Sequence, residues 1–303
     1  MARLICFGFL LFTFIHLTAY GQDKVDELTS ILKDRDTDYV MVVAHRGDWR
    51  NAPENSLQAI QNCIDMGVDI IEIDVRMTKD SVFVLMHDNE IDRTTNGTGR
   101  VENLTWEYLS GLRLKDGIGA VTSQKIPRLE EVVALTKGKI LLNLDKAFDQ
   151  PNLIAKFLNQ HSFWRQVVLK GWMIEYEMLS KYSSFKIDSA FFMPIVSLEE
   201  SNWESVINSY KGIYRPVAFE ILFNVEGRHD QAIYMIKNMG SKVWINSLWP
   251  EFNAGHDDER AVKDPEGSYG WLANIGAQII QTDRPALLID YLESSGLRQL
   301  NPK

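Results

Sequence analysis

Eight short apolar runs, spaced along the chain by segments of helical character, constrain the fold more than any other feature of this sequence. The runs are Val40–Ala44, Val68–Val75, Ile140–Asp145, Val167–Lys170, Ala190–Met193, Val217–Glu220, Lys242–Asn246 and Ala277–Thr282. Near-continuous apolar strands that alternate with helices are typical of a parallel sheet covered on both faces. The count of eight favours an α/β fold of the closed (β/α)8 type, the TIM barrel, over an open doubly wound sheet. A further run, Val82–Met86, is then an extra strand, paired antiparallel or extending the second element.

The N-terminal residues 1–21 have the pattern of an export signal. Arg3 precedes an apolar stretch from Leu4 to Leu17, and Ala19–Gly21 offers the small residues that a signal peptidase recognises. The stretch is shorter than the roughly 20 residues that span a bilayer, so export is favoured over a membrane anchor. We therefore expect a periplasmic or secreted protein whose single remaining cysteine, Cys63, cannot form an intramolecular disulfide.

Composition and charge limit the number of domains and the kinds of partner. Hydrophobic residues make up 45% of the chain, and no proline-rich or low-complexity linker divides it, so we expect one barrel domain over residues 22–303. The formal net charge of −9 argues against binding to nucleic acid or to an anionic lipid surface. A small anionic substrate would need cations supplied locally by the site.

One connection carries further information. Residues 89–128 form a long, turn-rich segment after the extra strand, and loops of that size at the C-terminal ends of barrel strands generally build or cover an active site. Elsewhere, polar residues have local structural explanations. Asn55 is placed to cap a helix over Ser56–Met66 that stops at Gly67, and Asp283 is placed to cap a helix over Arg284–Ser294.

Charged and imidazole side chains stand where the first strands end. His45 and Arg46 follow the first run, Glu72 and Asp74 lie two residues apart in the second, and His87 follows the extra strand. Side chains at i and i+2 of a strand point the same way, so these groups are expected to converge on one edge of the sheet. Two histidines, two carboxylates and an arginine are the parts of a metal-assisted phosphoryl-transfer site.

The residue types suggest how the roles divide. Glu72 and Asp74, with Asp145 at the end of the next strand, offer three oxygen ligands, which suit Ca²⁺ or Mg²⁺ better than zinc, although the two histidines leave zinc open. Arg46 can hold phosphate oxygens, and Lys170 can add a second positive charge. The candidates for general base and general acid are His45 and His87.

The order of short motifs resembles the glycerophosphodiester phosphodiesterase family. The matching blocks are Ala44–Gly47, Pro53–Ser56, Ile71–Val75, Thr78–Asp80, His87–Asp88 and Asp92–Gly99, followed by Ile126–Val132 and Thr282–Pro285. The resemblance implies a phospholipase-C-like barrel with an insertion over about residues 88–125, a divalent cation, and hydrolysis of glycerophosphodiesters. It also implies that His45 and His87 are the acid/base pair, Arg46 the phosphate-binding arginine, and Glu72 and Asp74 two of the metal ligands.

The chain departs from the family pattern on the third barrel strand. Members commonly place a lysine two residues after a glutamate there, whereas this chain reads Asp145-Lys146. If Asp145 replaces the glutamate, strand alternation turns Lys146 to the opposite face, and Lys170 on the next strand is the candidate to replace the family lysine. The sequence leaves the choice between Lys146 and Lys170 open. The departure concerns metal affinity and substrate preference, and leaves the reaction class unchanged.

The sequence therefore predicts metal-dependent hydrolysis of a glycerophosphodiester to glycerol 3-phosphate and an alcohol. The substrate's own neighbouring hydroxyl is the expected nucleophile, because no serine or cysteine stands among the strand-end residues. Two alternatives remain open. One is a related phosphodiesterase acting on lysophospholipids or other polyol phosphodiesters, and the other is a non-catalytic binding barrel with Trp172, Trp244 and Trp249 lining a ligand groove.

Overall fold

The computed structural model describes residues 23–181 and 191–299. The predicted export signal over residues 1–21, and Ala190 of the predicted fifth strand, lie outside these ranges. Within them, no helix is long and apolar enough to cross a membrane.

Eight parallel strands close into a barrel, which confirms the predicted fold. The strands are β1 Met41–His45, β2 Ile70–Met77, β4 Leu141–Asp145, β5 Val167–Gly171, β6 Phe191–Ser197, β7 Ala218–Leu222, β8 Lys242–Asn246 and β9 Ile279–Thr282. Each pairs with its neighbours in the order β1-β9-β8-β7-β6-β5-β4-β2, and pairing of β1 with β2 closes the ring. The extra strand β3, Phe83–Leu85, pairs antiparallel with the end of β2, which was one of the two arrangements predicted from the sequence.

Helices cover the outside of the barrel and one end of it. They are α1 Lys24–Lys33, α2 Leu57–Met66, α3 Trp106–Ser110, α4 Leu129–Thr136, α5 Pro151–His161, α6 Glu175–Lys181, α7 Trp203–Ser209, α8 His229–Met239, α9 Asp258–Ala261, α10 Trp271–Ile275 and α11 Pro285–Ser294. Alternate strand residues such as Val42, Ile71 and Leu142 face these helices in one large apolar cluster. Because the strands are covered outside and packed inside, they read as almost unbroken apolar runs.

The inside of the barrel is divided into two ends. At the end where the strands begin, Met41, Val43, Ile70 and Trp244 form an apolar cluster with residues of α1, and we call this cluster the floor. The same strands carry polar side chains on the same face further along, since residues i and i+2 share a face. The carboxyl ends of the strands therefore form a polar mouth above an apolar floor.

The chain between β3 and α4 forms a small unit beside the mouth. This unit has an apolar cluster of its own, which includes Val84, Met86, Ile91, Val101 and Leu109. Isolated strand bridges, among them one between Thr95 and Leu114, hold its loops together, and α3 lies between these two residues in the chain.

Candidate active site

Three carboxylates form a tight group at the mouth. Glu72 and Asp74 lie on β2, and the strand register places Asp74 directly beside Asp145 at the end of β4. One oxygen from each of the three lies within 4.8 Å of the others, and Glu72 and Asp74 are each only 1% exposed. Among the described residues this is the group of acidic, histidine or cysteine side chains whose geometry could hold a metal ion.

The pKa values of these carboxyls show the cost of crowding like charges in a buried place. Burial and the charge of Asp74 raise the pKa of Glu72 to about 7. Burial would also raise the pKa of Asp74, but Lys146, His87 and Arg46 lie near enough to hold it below its ordinary value. Asp145 behaves in the same way, since Lys170 and Lys146 outweigh its burial and lower its pKa. The group therefore needs cationic neighbours in order to stay ionised.

The prediction that Lys146 points away from the site is wrong. Its backbone adopts a left-handed conformation with φ of 60°, just after β4 ends, so strand alternation no longer governs its direction. The side chain turns back into the mouth, where its Nζ donates to Asp74 and, at 3.0 Å, to Asp145 Oδ2. The carboxylates raise the pKa of Lys146 against the opposing effect of burial, so it is a cation.

Lys170 also reaches the site, from deeper within the barrel. It is buried on β5, with its Nζ 3.6 Å from Glu220 Oε2 on β7. Asn246 on β8 donates to the other oxygen of Glu220 at 2.7 Å. Glu220 and the carboxylates at the mouth raise the pKa of Lys170 although burial acts to lower it. The mouth therefore contains both lysines that the sequence offered as alternatives.

His45 is held by a buried carboxylate that sequence reasoning had assigned to a helix cap. Asp283 does not cap α11, because that helix begins at Pro285 after Arg284. Its Oδ1 instead accepts hydrogen bonds from His45 Nδ1 at 2.8 Å and from Trp49 Nε1 at 2.6 Å. Arg46 Nε donates to the other ring nitrogen of His45 at 3.2 Å. Asp283 therefore holds the imidazole of His45 through Nδ1 and directs its Nε2 toward Arg46.

A second buried carboxylate, Asp258, holds Asp283 in place. The backbone N–H of Asp283 donates to Asp258 Oδ2 at 2.7 Å. Hydroxyl groups of Ser247, Tyr269 and Thr282 donate to its Oδ1 at 2.6 to 2.8 Å. Burial nevertheless raises the pKa of Asp258 to about 6.

Asn55 belongs to the site and is not a helix cap. Ser56 caps α2 instead, its Oγ accepting from Ala59 N at 3.0 Å. Asn55 has a φ of 58°, and its side chain donates to Asp74 Oδ2 at 2.8 Å while accepting from the Asp74 backbone at 3.0 Å. It therefore fixes the direction of this carboxylate from the loop after β1.

Arg46 lies across the mouth between the histidine and the carboxylates. Its backbone N–H donates to Glu72 Oε2 at 3.1 Å, and its Nε is 3.6 Å from Asp74 Oδ2. A guanidinium Nη1 donates to Glu54 at 3.3 Å. The arginine is thus positioned by three carboxylates, with its backbone in the left-handed region at φ of 57°.

His87 has a more open setting than His45. Its Nδ1 lies 2.6 Å from Asp88 Oδ1, and its side chain remains about one-third exposed. Burial lowers the pKa of His87, although Asp74 and Asp88 act to raise it. The imidazole is therefore neutral near pH 7 and can accept a proton.

A cleft of about 580 Å³ opens beside His45 and Arg46. Trp49, Trp249 and the loop around Ile118 form part of its walls. The other two tryptophans proposed for a common groove lie elsewhere: Trp244 is buried in the floor, and Trp172 lines a separate groove beyond β5. The three therefore do not form a shared ligand groove.

Comparison with known proteins agrees with this arrangement. Residues 45–183 match the model of the Glycerophosphoryl diester phosphodiesterase family, and residues 192–292 match a domain of unknown function. A glycerophosphoryl diester phosphodiesterase from Parabacteroides distasonis has the same fold over 89% of this chain and 92% of its own, with 27% identity and a TM-score of 0.74. The chain therefore resembles the glycerophosphodiester phosphodiesterase family in sequence over residues 45–183, and it shares the fold of a solved glycerophosphoryl diester phosphodiesterase over most of its length.

Two further relatives show how much of the chain is similar in sequence and how much in fold. The glycerophosphodiester phosphodiesterase of Caldanaerobacter subterraneus is 41% identical over 107 residues, which are 35% of this chain and 44% of the relative. This chain thus spans less than half the length of that curated relative. An Oleispira antarctica phosphodiesterase, solved with the product sn-glycerol-3-phosphate, shares the fold over 84% of this chain and 96% of its own, with 22% identity and a TM-score of 0.62.

Several residues at the mouth were not predicted as site residues. For some of them the matching sequence blocks contained the information. Glu54 and Asn55 lie in the Pro53–Ser56 block, and Asp283 lies in the Thr282–Pro285 block, both of which carry the resemblance. Glu220 and Asp258 lie outside all of those blocks. Only the fold, which brings β7 and α9 to the mouth, shows where these two act.

Proposed function

We propose that this protein hydrolyses glycerophosphodiesters to glycerol 3-phosphate and an alcohol. The observation that carries the proposal is the convergence, at one end of a family barrel, of two histidines, three carboxylates and the cation Arg46. Each histidine has a carboxylate on Nδ1, so Nε2 is the nitrogen proposed for proton transfer; in His45 this requires Arg46 to turn from Nε2 to the substrate phosphate. A protein that only binds a ligand has no need of two such pairs, so catalysis is favoured over a binding barrel.

The three carboxylates fit a divalent cation. They are oxygen donors and they lie within reach of a common centre. Burial and then repulsion by Asp74 raise the pKa of Glu72, and a bound cation would offset both effects. Glu72, Asp74 and Asp145 would hold the ion, with Ca²⁺ or Mg²⁺ favoured by the donor set. When bound, such an ion supplies positive charge to a phosphoryl oxygen and so stabilises the charge of the transition state.

The side chains of the chain itself account for substrate binding and proton transfer. Arg46 can donate to phosphate oxygens, and Lys170 adds positive charge from below. One histidine, as a neutral imidazole, accepts the proton of the substrate hydroxyl as that hydroxyl attacks phosphorus. The other, which enters the step as an imidazolium, donates its proton to the departing alcohol oxygen, and a cyclic phosphate forms. Water then opens the cyclic phosphate with the two roles exchanged. The hydroxyl is already beside the phosphorus, so effective molarity favours this route.

The place of action is part of the same proposal. The signal pattern over residues 1–21 supports export to the periplasm or the medium, where glycerophosphodiesters would be available as soluble molecules. The crystal structure of the Oleispira antarctica relative with sn-glycerol-3-phosphate supports a small phosphate product.

A turnover assay tests the proposal directly. Purified protein is incubated with glycerophosphocholine, glycerophosphoethanolamine and glycerophosphoglycerol, with and without added Ca²⁺ or Mg²⁺, and glycerol 3-phosphate is measured. We expect metal-dependent release from at least one substrate, whereas no turnover with any of them would contradict the proposal. A substrate whose glycerol 2-hydroxyl is replaced by hydrogen tests the route. If this analogue is cleaved as fast as its parent, the internal hydroxyl is not the nucleophile.

A further inference from the structure

Arg93 is not among the predicted site residues, yet it binds two carboxylates that each contact a predicted site residue. It belongs to the segment after β3, and its guanidinium reaches back toward the barrel between two carboxylates. Nη1 and Nη2 donate to the two oxygens of Glu54, each at 2.8 Å. Nε and Nη2 donate to the two oxygens of Asp88, at 2.6 and 3.1 Å. A planar guanidinium can make two such bidentate pairs at once, whereas an ammonium cannot.

Each carboxylate that Arg93 holds has a second task at the mouth. Glu54 also accepts from Arg46, the proposed phosphate-binding residue, at 3.3 Å. Asp88 also contacts Nδ1 of His87 at 2.6 Å. An unbroken series of contacts therefore runs from Arg46 through Glu54, Arg93 and Asp88 to His87. Both carboxylates raise the pKa of Arg93, so the bridging group remains charged.

We propose that Arg93 is a positioning residue that sets Arg46 and His87 relative to each other; this role rests on the proposed phosphodiesterase function. Without Arg93, Glu54 would have Arg46 as its nearest cation, and the stronger pull would draw that guanidinium away from the phosphate. Asp88 would lose the contacts that hold it still, and His87 would lose a fixed orientation. Both changes reduce correct placement in the transition state more than they reduce binding of the ground state.

The chain offers a matched control in the same segment. Arg100 makes a bidentate-capable ion pair with Glu102 at 2.8 Å, and it is exposed to a similar degree as Arg93, with side-chain exposures of 44% and 49%. Within the described part of the chain, its partner Glu102 makes no hydrogen bond to Arg46 or His87. Arg100→Met should therefore leave kcat and KM within about twofold, as expected for surface substitutions.

The experiment compares Arg93→Met, Arg93→Lys and Arg100→Met in the full chain. We expect Arg93→Met to lower kcat roughly 10- to 100-fold, the range seen when a partner that orients a site residue is lost, with a smaller change in KM. Arg93→Lys should recover only part of this loss, because lysine cannot bridge both carboxylates. If Arg93→Met does not fold, as judged by circular dichroism, the comparison rests on Arg93→Lys. A kcat equal to wild type in a folded Arg93→Met, or in Arg93→Lys when only that variant folds, would overturn the proposal.

Chemical rescue and phosphate binding separate positioning from general support of the fold. Arg93 lines the 580 Å³ cleft, so guanidinium ions at tens of millimolar, far below unfolding concentrations, can reach the vacated place in Arg93→Ala. We expect them to raise kcat of that variant and not of wild type; no increase would contradict the proposal. The affinity for inorganic phosphate, measured by calorimetry, is expected to fall in Arg93→Met. If wild type has no turnover but the phosphate affinity still falls, the proposed function fails while the positioning of Arg46 stands.

Discussion

The mouth and the floor of the barrel are built on the same strands but follow opposite rules. β2 supplies Ile70 to the floor and, two and four residues later, Glu72 and Asp74 to the mouth. The floor packs apolar side chains closely against α1, which stabilises the fold. The mouth gathers like charges that repel one another, which stabilises the fold only when cations offset them. The contrast indicates that apolar packing in the floor offsets the free energy that charge repulsion costs at the mouth.

The floor also contains a buried lysine among its described residues. Lys242 at the start of β8 is 1% exposed, and its Nζ has no hydrogen-bond partner in the part of the chain that the structure describes. Burial lowers its pKa to about 8, although Asp34 and Asp36 act to raise it. The floor therefore carries a buried charge with no place in the proposed reaction, and substitutions at the two ends should have separable effects.

The largest effects are expected for the two histidines. His45→Ala and His87→Ala should each lower kcat roughly 10²- to 10⁴-fold, the usual contribution of a positioned acid or base. The double variant should lose little more activity than either single variant, because both residues take part in the same proton-transfer step. Steady-state kinetics on the preferred glycerophosphodiester measures this, with thermal unfolding as the measure of stability.

The control for the histidines is His161→Ala. This residue ends α5, and its imidazole packs against Phe157. It should change kcat less than twofold. If either His45→Ala or His87→Ala retained full activity, the assignment of the acid/base pair would be wrong and the mouth would need another proton donor or acceptor.

The next effect is one of stability and concerns the floor. Lys242→Met should raise the free energy of unfolding by about 2 kcal/mol at pH 7, because the unfolded chain holds the lysine proton more tightly than the folded chain does. The sign follows from a folded pKa of about 8 below the unfolded value of 10.5, so wild type gains stability as pH rises from about 8 to 10.5. The advantage of the variant should shrink over that range.

Urea unfolding of wild type and Lys242→Met at several pH values measures this difference, and Lys156→Met on the exposed side of α5 is the control. The variant should keep the kcat of wild type. A Lys242→Met protein that is less stable than wild type at every pH would show that the lysine has a partner in the floor, and a loss of kcat would show that the two ends are not separable.

The smallest predicted effect concerns protons and metal at the mouth. Since Glu72 has a pKa of about 7, a proton and a divalent cation compete for it. Affinity for Ca²⁺ or Mg²⁺ should rise about tenfold per pH unit below pH 7 and level off above it. Calorimetry in buffers of different ionisation enthalpy should show proton release on binding near pH 6 and little at pH 8.5. An affinity that is constant from pH 5.5 to 8.5 would remove Glu72 from the ligand set.

The sequence predicts the barrel well because its strands are buried on both faces, and that burial is written directly in apolar runs. It also predicts that Glu72, Asp74 and Asp145 meet, because strand alternation and parallel register follow from those runs. It fails at residues whose role depends on backbone outside regular elements. Lys146 and Asn55 both have a positive φ, which reverses the direction that local rules assign to them. Asp283 has a plausible local partner in the next helix and a real one in His45, distant in sequence.

The apolar floor also determines how molecules move through this barrel. Among the described residues, Met41, Trp244 and their neighbours fill the barrel at the end opposite the mouth and pack with residues of α1. Under the proposed function, substrate, both products and any metal ion would therefore share the opening at the carboxyl ends of the strands. A product that stays bound to the cations at the mouth would block entry of the next substrate and so act as a competitive inhibitor.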